Sequence, residues 1–248
     1  MTSNYPHIPR HPNIRLAYSR NKHKARSFLS LYPELFFPLV KLKESKKRAV
    51  GKHTQIVIEG FPRSGNSFVV GAFEAAQPNP VVIAHHLHAP AQIIQAARQD
   101  IPTLVLAREP VGAVVSRLAM GLEVNELRGT QAFPPSLSQL LRTYIGFYTR
   151  ILPYQDQYVL GLFEEVTRDL GTLIKKINQK FQTNFSMYEH TEDKVQSIFR
   201  QRGIHAGPSE RRNEIKVYLQ KEIASNELKP LVKRAETVYQ QLEQLSKK

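Results

Sequence analysis

The chain has 248 residues, 41% of them hydrophobic, with 35 Lys and Arg against 21 Asp and Glu, a formal net charge of +14. That length and apolar content suffice for one domain with a core of its own, and the charge points to anionic partners. The absence of cysteine excludes a disulfide framework and agrees with a reducing compartment. The charge is unevenly placed: residues 1–53 hold twelve basic and two acidic residues, +10 of the total. We expect residues 1–27 to form an extended basic arm, 28–40 a short amphipathic segment docked on the body, and 41–53 a solvated linker. The arm has no apolar core of a signal peptide. The longest apolar run, "FLSLYPELFFPLV", contains Glu34 and two prolines and is too short to span a bilayer. The expectation is a cytoplasmic protein with no transmembrane segment.

From residue 54 the pattern alternates. "TQIVIEG" reads as a buried strand ended by glycine, "GNSFVVGAFEAAQ" as a helix, "PVVIAHH" as a second strand and "APAQIIQAARQ" as a helix. "TLVLAR" is a third strand and "VGAVVSRLAMGLE" its helix; after a helical stretch at about 136–151 come a fourth strand, "QYVLGLF", and the amphipathic "TRDLGTLIKKINQKF". Residues 191–248 read as mostly helical, broken by a loop at "RQRGIHAGP". Continuous β-branched strands alternating with helices predict a parallel sheet covered on both faces. The expected fold class is α/β, a three-layer sandwich with a helical C-terminal region, divided into an arm and linker (1–53) and a body (54–248).

The stretch "IEGFPRSGNS" has the spacing of a nucleotide-triphosphate loop, G-x-x-x-x-G-K-(S/T), at Gly60, Gly65 and Ser67, but Asn66 fills the lysine slot. A strand running through glycine into a helix aims N–H groups and the helix's positive end at an anion. Arg63 adds a full charge, and Asn66 and Ser67 add side-chain donors. Without the lysine, such a cradle suits one phosphate and a further anionic group rather than a γ-phosphate with magnesium.

Here the residues resemble a family. "FPRSGNSF" is similar to the 5′-phosphosulfate loop, (Y/F)-P-(K/R)-S-G-T-(T/S), of sulfotransferases that use 3′-phosphoadenosine-5′-phosphosulfate (PAPS) and release PAP. Pro62, Arg63, Ser64 and Gly65 match, Asn66 replaces Thr, and Phe68 stands where the family often stacks an aromatic on adenine; the bland alternative for Phe68 is a core side chain. "LVLAREPVGAVVSRL" resembles the 3′-phosphate motif, an Arg at a strand end and a Ser eight residues on, here Arg108 and Ser116. "FRQRGIHAG" resembles the C-terminal F-x-R-K-G-x-x-G loop through Phe199, Arg202 and Gly203, with Gln201 in a basic slot and Gly207 one residue late. "LGLFEEVTRD" places Phe163 where a Tyr often lies near adenine. "AHHLHAP" resembles the K-T-H-x-P stretch whose His deprotonates the acceptor: His88 matches the base, and His86 stands at the lysine. Strand alternation sets His86 and His88 on one face and His85 on the other.

The resemblance implies a P-loop-like sulfotransferase fold and in-line sulfuryl transfer from PAPS to a hydroxyl, with His88 as base, Arg63 or a protonated His86 stabilising the transferring group, and no metal. It covers about residues 55–215. A carbohydrate or glycolipid hydroxyl is preferred over a phenol as acceptor, and the arm is expected to be a solvated tail, with steering of an anionic acceptor or contact with an anionic membrane surface as the functional alternatives. Two other classes compete. A P-loop phosphotransferase would need the missing lysine and magnesium. A non-catalytic basic adaptor for nucleic acid or membrane would leave both phosphate motifs unexplained, and the arm lacks the interleaved aromatics of single-strand binders.

Overall fold

The computed structural model describes residues 14–42, 47–130, 133–203 and 209–247. Four strands, β1 (Ile56–Gly60), β2 (Ile83–His85), β3 (Thr103–Ala107) and β4 (Val159–Leu162), form one sheet in the order β2-β1-β3-β4. All three pairings are parallel, with Ile58 opposite His85 and Leu104, and Leu106 opposite Gly161. The fold is α/β, as the alternation predicts. Every residue of β1 and of β3 is buried, which is why these strands read as unbroken apolar runs rather than alternating ones.

Helices cover both faces. On one, α3 (Asn66–Ala76), α8 (Leu170–Phe181) and α9 (Glu192–Arg202) bring Val69, Phe73, Ile174 and Ile198 against Ile56, Ile58, Leu104 and Leu106. On the other, α5 (Pro110–Leu127), α6 (Leu137–Ile151), α10 (Glu210–Ile223) and α11 (Lys229–Ser246) pack Val115, Tyr144, Leu219 and Leu242 around Val105 and Ala107, while α4 (Pro90–Ala97) sets Ala96 against Val57 and Ala84. A short α7 (Phe163–Arg168) follows β4 directly. The chain winds from β1 outward to β2 and then crosses back to β3 on β1's other side. The strand order therefore reverses at β1, and the crevice above the carboxyl ends of β1 and β3 is where such sheets bind ligands. Gly60 makes the close approach possible: a Cβ there would stand 2.3 Å from the Leu106 carbonyl oxygen.

The N-terminal region departs from the expected extended arm. Residues Ile14–Leu29 form a helix, α1, followed by α2 (Pro33–Lys41). Little of α1 is apolar and buried apart from Leu16; polar contacts hold it instead. Ser19 Oγ donates to the Phe133 carbonyl at 2.7 Å, Gln139 Nε2 donates to the Arg20 carbonyl at 2.9 Å, and the Ala91 N–H donates to the Ser30 carbonyl at 2.9 Å. A helix anchored in this way has no apolar stripe for the sequence to display. The docked amphipathic segment is α2, whose Phe36 and Val40 are buried with Leu87 and Ala89. Residues 1–13 and 43–46 lie outside the described residues, as do 204–208, which contain Gly207.

A buried ion pair locks α10 to α5. Arg212 donates through Nε to Glu123 Oε2 at 2.7 Å and stands 2.6 Å away through Nη2, while Ser209 Oγ donates to the other carboxylate oxygen. Removing one partner leaves an uncompensated buried charge, which costs about 3–5 kcal/mol, whereas replacing both with apolar groups is often neutral. Glu123→Ala should therefore lower stability by that order in denaturant titration, and Glu123→Leu combined with Arg212→Met should recover most of the loss. A double variant as unstable as the single one would contradict this account.

Candidate functional site

The carboxyl ends of β1, β2 and β3 open into one cavity of about 440 Å³. Its floor is the loop from β1 into α3. Gly65 caps α3 at φ 92° and Arg63 sits at φ 73°, so the chain turns sharply enough to aim the first helical N–H groups into the cleft. Pro62, Arg63, Gly65, Asn66, Ser67 and Phe68 all line it. Ser64 does not: it is fully buried and its Oγ turns inward to within 3.4 Å of the Tyr148 hydroxyl. Asn66, in the lysine slot, folds back on the loop, Nδ2 donating to the Phe61 carbonyl at 3.0 Å. It shapes the turn from inside.

Two tyrosines of α6 hold the loop and the end of β3 in place. Tyr148 donates to the Leu106 carbonyl at 2.7 Å and accepts from the Phe61 N–H at 3.3 Å; Tyr144 donates to the Arg108 carbonyl at 2.6 Å. Burial raises both phenols well above their ordinary range, so they stay neutral and donate.

Arg63 and the 3′-phosphate residues meet directly. Arg63 donates through Nε to Ser116 Oγ at 3.1 Å, and Arg108 Nη1 donates to the Arg63 carbonyl at 3.4 Å. Arg108 also stacks over the Phe163 ring, 4.2 Å to the centroid, a cation–π contact that holds the guanidinium flat against the cavity wall. Burial, then the charges of Arg212, Arg108 and Arg117, push Arg63 down to about 10. Such crowding of cations is relieved by an anion.

Phe68 and Phe199 line the cavity and pack on each other at 5.9 Å between centroids, with Tyr188 and His190 beyond. Phe68 thus belongs to the core cluster while showing an edge to the cleft. Arg202 is directed elsewhere: it pairs with Glu74 on α3 and does not line the cavity. Gly203 ends α9 at φ 54°, immediately before residues outside the described set.

The three histidines differ from strand alternation because β2 stops at His85, and His86 and His88 take left-handed φ of 56° and 52°. Non-glycine residues in that region are uncommon and gather at functional sites. His86 is tied at both nitrogens, Nε2 to Ser67 Oγ at 3.0 Å and Nδ1 to His85 Nδ1 at 2.6 Å. His88 Nδ1 donates to the Gly60 carbonyl at 2.8 Å; since a carbonyl can only accept, Nδ1 carries the hydrogen, and neutral His88 keeps its Nε2 lone pair.

Sequence reasoning missed Glu59. This acid is fully buried at the penultimate position of β1. Its Oε1 accepts from the Gly60 N–H at 3.1 Å, its Oε2 from the Leu87 N–H at 2.9 Å and from Gln92 Nε2 at 3.0 Å, and Oε1 stands 3.5 Å from His88 Nδ1. Burial pushes it up to about 7 against those donors. The one available signal was an acid inside an otherwise apolar buried strand. Also missed were His23, Arg26 and Ser27 of α1 and Ser30 just after it, which form a wall of the cavity together with Arg117, Met120 and Thr143.

Among the described residues no group of three or more His, Asp or Glu is placed to hold a metal ion, and no helix is long and apolar enough to cross a membrane. No protein-family description matches the sequence, and no curated protein matches it. Among solved structures, the crystal structure of mouse sulfotransferase SULT7A1 complexed with PAP is similar at a TM-score of 0.39 and 14% identity, over 64% of this chain and 66% of that one.

Burial holds His85 and His88 down at about 4 and His86 at about 3, against an ordinary 6.5. A depressed folded pKa contributes stability that is present above the unfolded value and is lost as pH falls through the folded one. Glu59 acts oppositely, its share being full below 4.5 and lost as pH rises through about 7. Three imidazoles outweigh one carboxyl, so the site's contribution should lower the melting temperature as the protein is acidified from about pH 6.5 to pH 4. His86→Asn should flatten that slope in calorimetry across the same range; an unchanged slope would refute the assignment.

Proposed function

We propose that this protein transfers a sulfuryl group from PAPS to a hydroxyl of an acceptor, with a carbohydrate or glycolipid hydroxyl the preferred class. The observation that supports it best is convergence: the anion-binding turn before α3, Arg108 at the end of β3 and the His88 ring after β2 all open into one cavity. On this reading the 5′-phosphosulfate lies on the turn of Arg63, Gly65, Asn66 and Ser67, and the 3′-phosphate lies toward Arg108 and Ser116. The adenine lies among Phe68, Phe163 and Phe199.

The acceptor oxygen attacks sulfur, the bond from sulfur to the bridging phosphate oxygen breaks, and PAP leaves with the electron pair. The acceptor's proton passes to His88 Nε2. As imidazolium forms, Nδ1–H strengthens its bond to the Gly60 carbonyl, and the nearby Glu59 carboxylate becomes more favoured in its ionised form. Arg63, held by Ser116, meets the charge that builds on the departing 5′-phosphate of PAP, while Arg108, stacked on Phe163, faces the 3′-phosphate. Arg202, paired with Glu74, would have to exchange that partner to reach a 3′-phosphate.

The test is transfer from radiolabelled PAPS to a panel of sugar and lipid hydroxyls. His88→Ala should lower kcat by about 10²–10⁴ with PAP affinity retained. Glu59→Gln, which keeps the shape and removes the charge, should lower kcat more than it changes PAP affinity. Full activity in His88→Ala would move the base to another group. No label transfer to any acceptor, with PAP bound, would reject the enzyme.

A further inference from the structure

The cavity has a second end that the donor does not use. Its nucleotide side is built by α3, α7 and α9, whereas the opposite wall is built by α1, α5 and α6. On that wall two guanidiniums, Arg26 from α1 and Arg117 from α5, line the space with the hydroxyls of Ser27 and Thr143. Arg117 is half-buried, and Gly121 one turn further along α5 leaves room for it, a Cβ there lying 3.6 Å from Nη1. Among the described residues neither guanidinium has a hydrogen-bonding or ion-pair partner, although every carboxylate close to this region is engaged: Glu59 by backbone and Gln92, Glu123 by Arg212. A partly buried cation with no partner is costly. The cost shows in its neighbours. Burial and Arg26 lower Arg117, and burial, Arg117 and Arg26 lower His23.

We infer that Arg117 and Arg26 form an anion subsite for the acceptor, so that the hydroxyl taken by this protein belongs to a molecule that also bears a carboxylate, sulfate or phosphate. The inference rests on the sulfuryl-transfer reading and names the substrate class of that same site. The anion would dock between the two arginines, beside the Ser27 hydroxyl. The hydroxyl would then face His88, whose imidazole feels both cations. An acidic sugar has both groups a few bonds apart. A second cavity continues outward from His23, Ser27, Ser30 and Thr143 past Lys24 and Arg142, which gives a longer acidic chain a basic path to follow.

The test compares 4-nitrophenyl β-D-glucuronide with 4-nitrophenyl β-D-glucoside, which differ by a carboxylate in place of a hydroxymethyl group. Binding is measured by calorimetry to the full chain saturated with PAP. The wild type should bind the glucuronide at least about 10-fold more tightly, the scale of one charge-assisted contact. Arg117→Met should abolish most of that preference and Arg26→Met part of it, with PAP and glucoside affinities retained. Because Arg117 has no hydrogen-bonding or ion-pair partner among the described residues, Arg117→Met should also melt no lower than the wild type when no ligand is present. No preference for the glucuronide in the wild type would overturn the subsite while leaving the donor reading intact. An equal loss for both glycosides would assign Arg117 to the transferred group instead. Failure of PAP itself to bind would overturn the donor reading, and the subsite with it.

Discussion

The buried carboxylate of Glu59 is the contact on which the geometry of the cleft depends. It lies inside the sheet, where an unpaired charge would be prohibitive, and it is tolerated because two backbone N–H groups and Gln92 point at it. Those donors come from the end of β1, the turn after β2 and α4. A single side chain thus fastens the phosphate-like loop to the histidine turn. Gln92 carries the network outward, its Oε1 accepting from the Val50 N–H at 2.9 Å. The left-handed backbone of His86 and His88 is held by the same anchors, since nothing about an isolated His-His-Leu-His peptide favours it. The same constraint orients the His88 ring, whose Nδ1 hydrogen is directed at the Gly60 carbonyl.

Electrostatics in the cleft run the other way. Arg63, Arg108 and Arg117 crowd into one space, with Arg26 at its edge. Neutral groups hold two of them there: Ser116 and Met120 accept from Arg63, and the Phe163 ring underlies Arg108. Among the neighbouring carboxylates, Glu123 is taken by Arg212 and Glu74 by Arg202, and only Glu109, 4.0 Å from Arg108 Nε, approaches them. Such an arrangement would suit a ligand with negative charge, because among the described residues Arg117 has no ion pair to give up and Arg108 has only a 4.0 Å contact with Glu109.

Much of this was readable in the sequence. Continuous β-branched runs ending near Gly60 and Arg108 announced buried parallel strands, which stand where expected, and the glycine loop turns from β1 into α3 at the predicted place. What could not be read depended on distant partners. The pairing of Arg202 with Glu74, on another helix, has no trace in the loop sequence. Ser64 has the position of a loop donor, yet its hydroxyl turns toward Tyr148 because α6 packs underneath. The wall made by α1 was hidden because its anchors are polar, and polarity in a basic segment reads as solvation. Glu59 was hidden by its length of one residue: an acid at a strand end is usually a turn residue, and only the fold shows that it is enclosed.

The central claim is that the cleft takes a nucleotide with both a 5′- and a 3′-phosphate and needs no cation bridge. Thermal shift with PAP, AMP and ATP, each with magnesium and with EDTA, tests it without knowledge of the acceptor. Saturation at about 100 times Kd should add roughly 2.7 kcal/mol of stability, and PAP should give that shift in either buffer while AMP and ATP give far less. Arg108→Ala should remove most of the preference for PAP over AMP. A shift that favours ATP and requires magnesium would contradict the account.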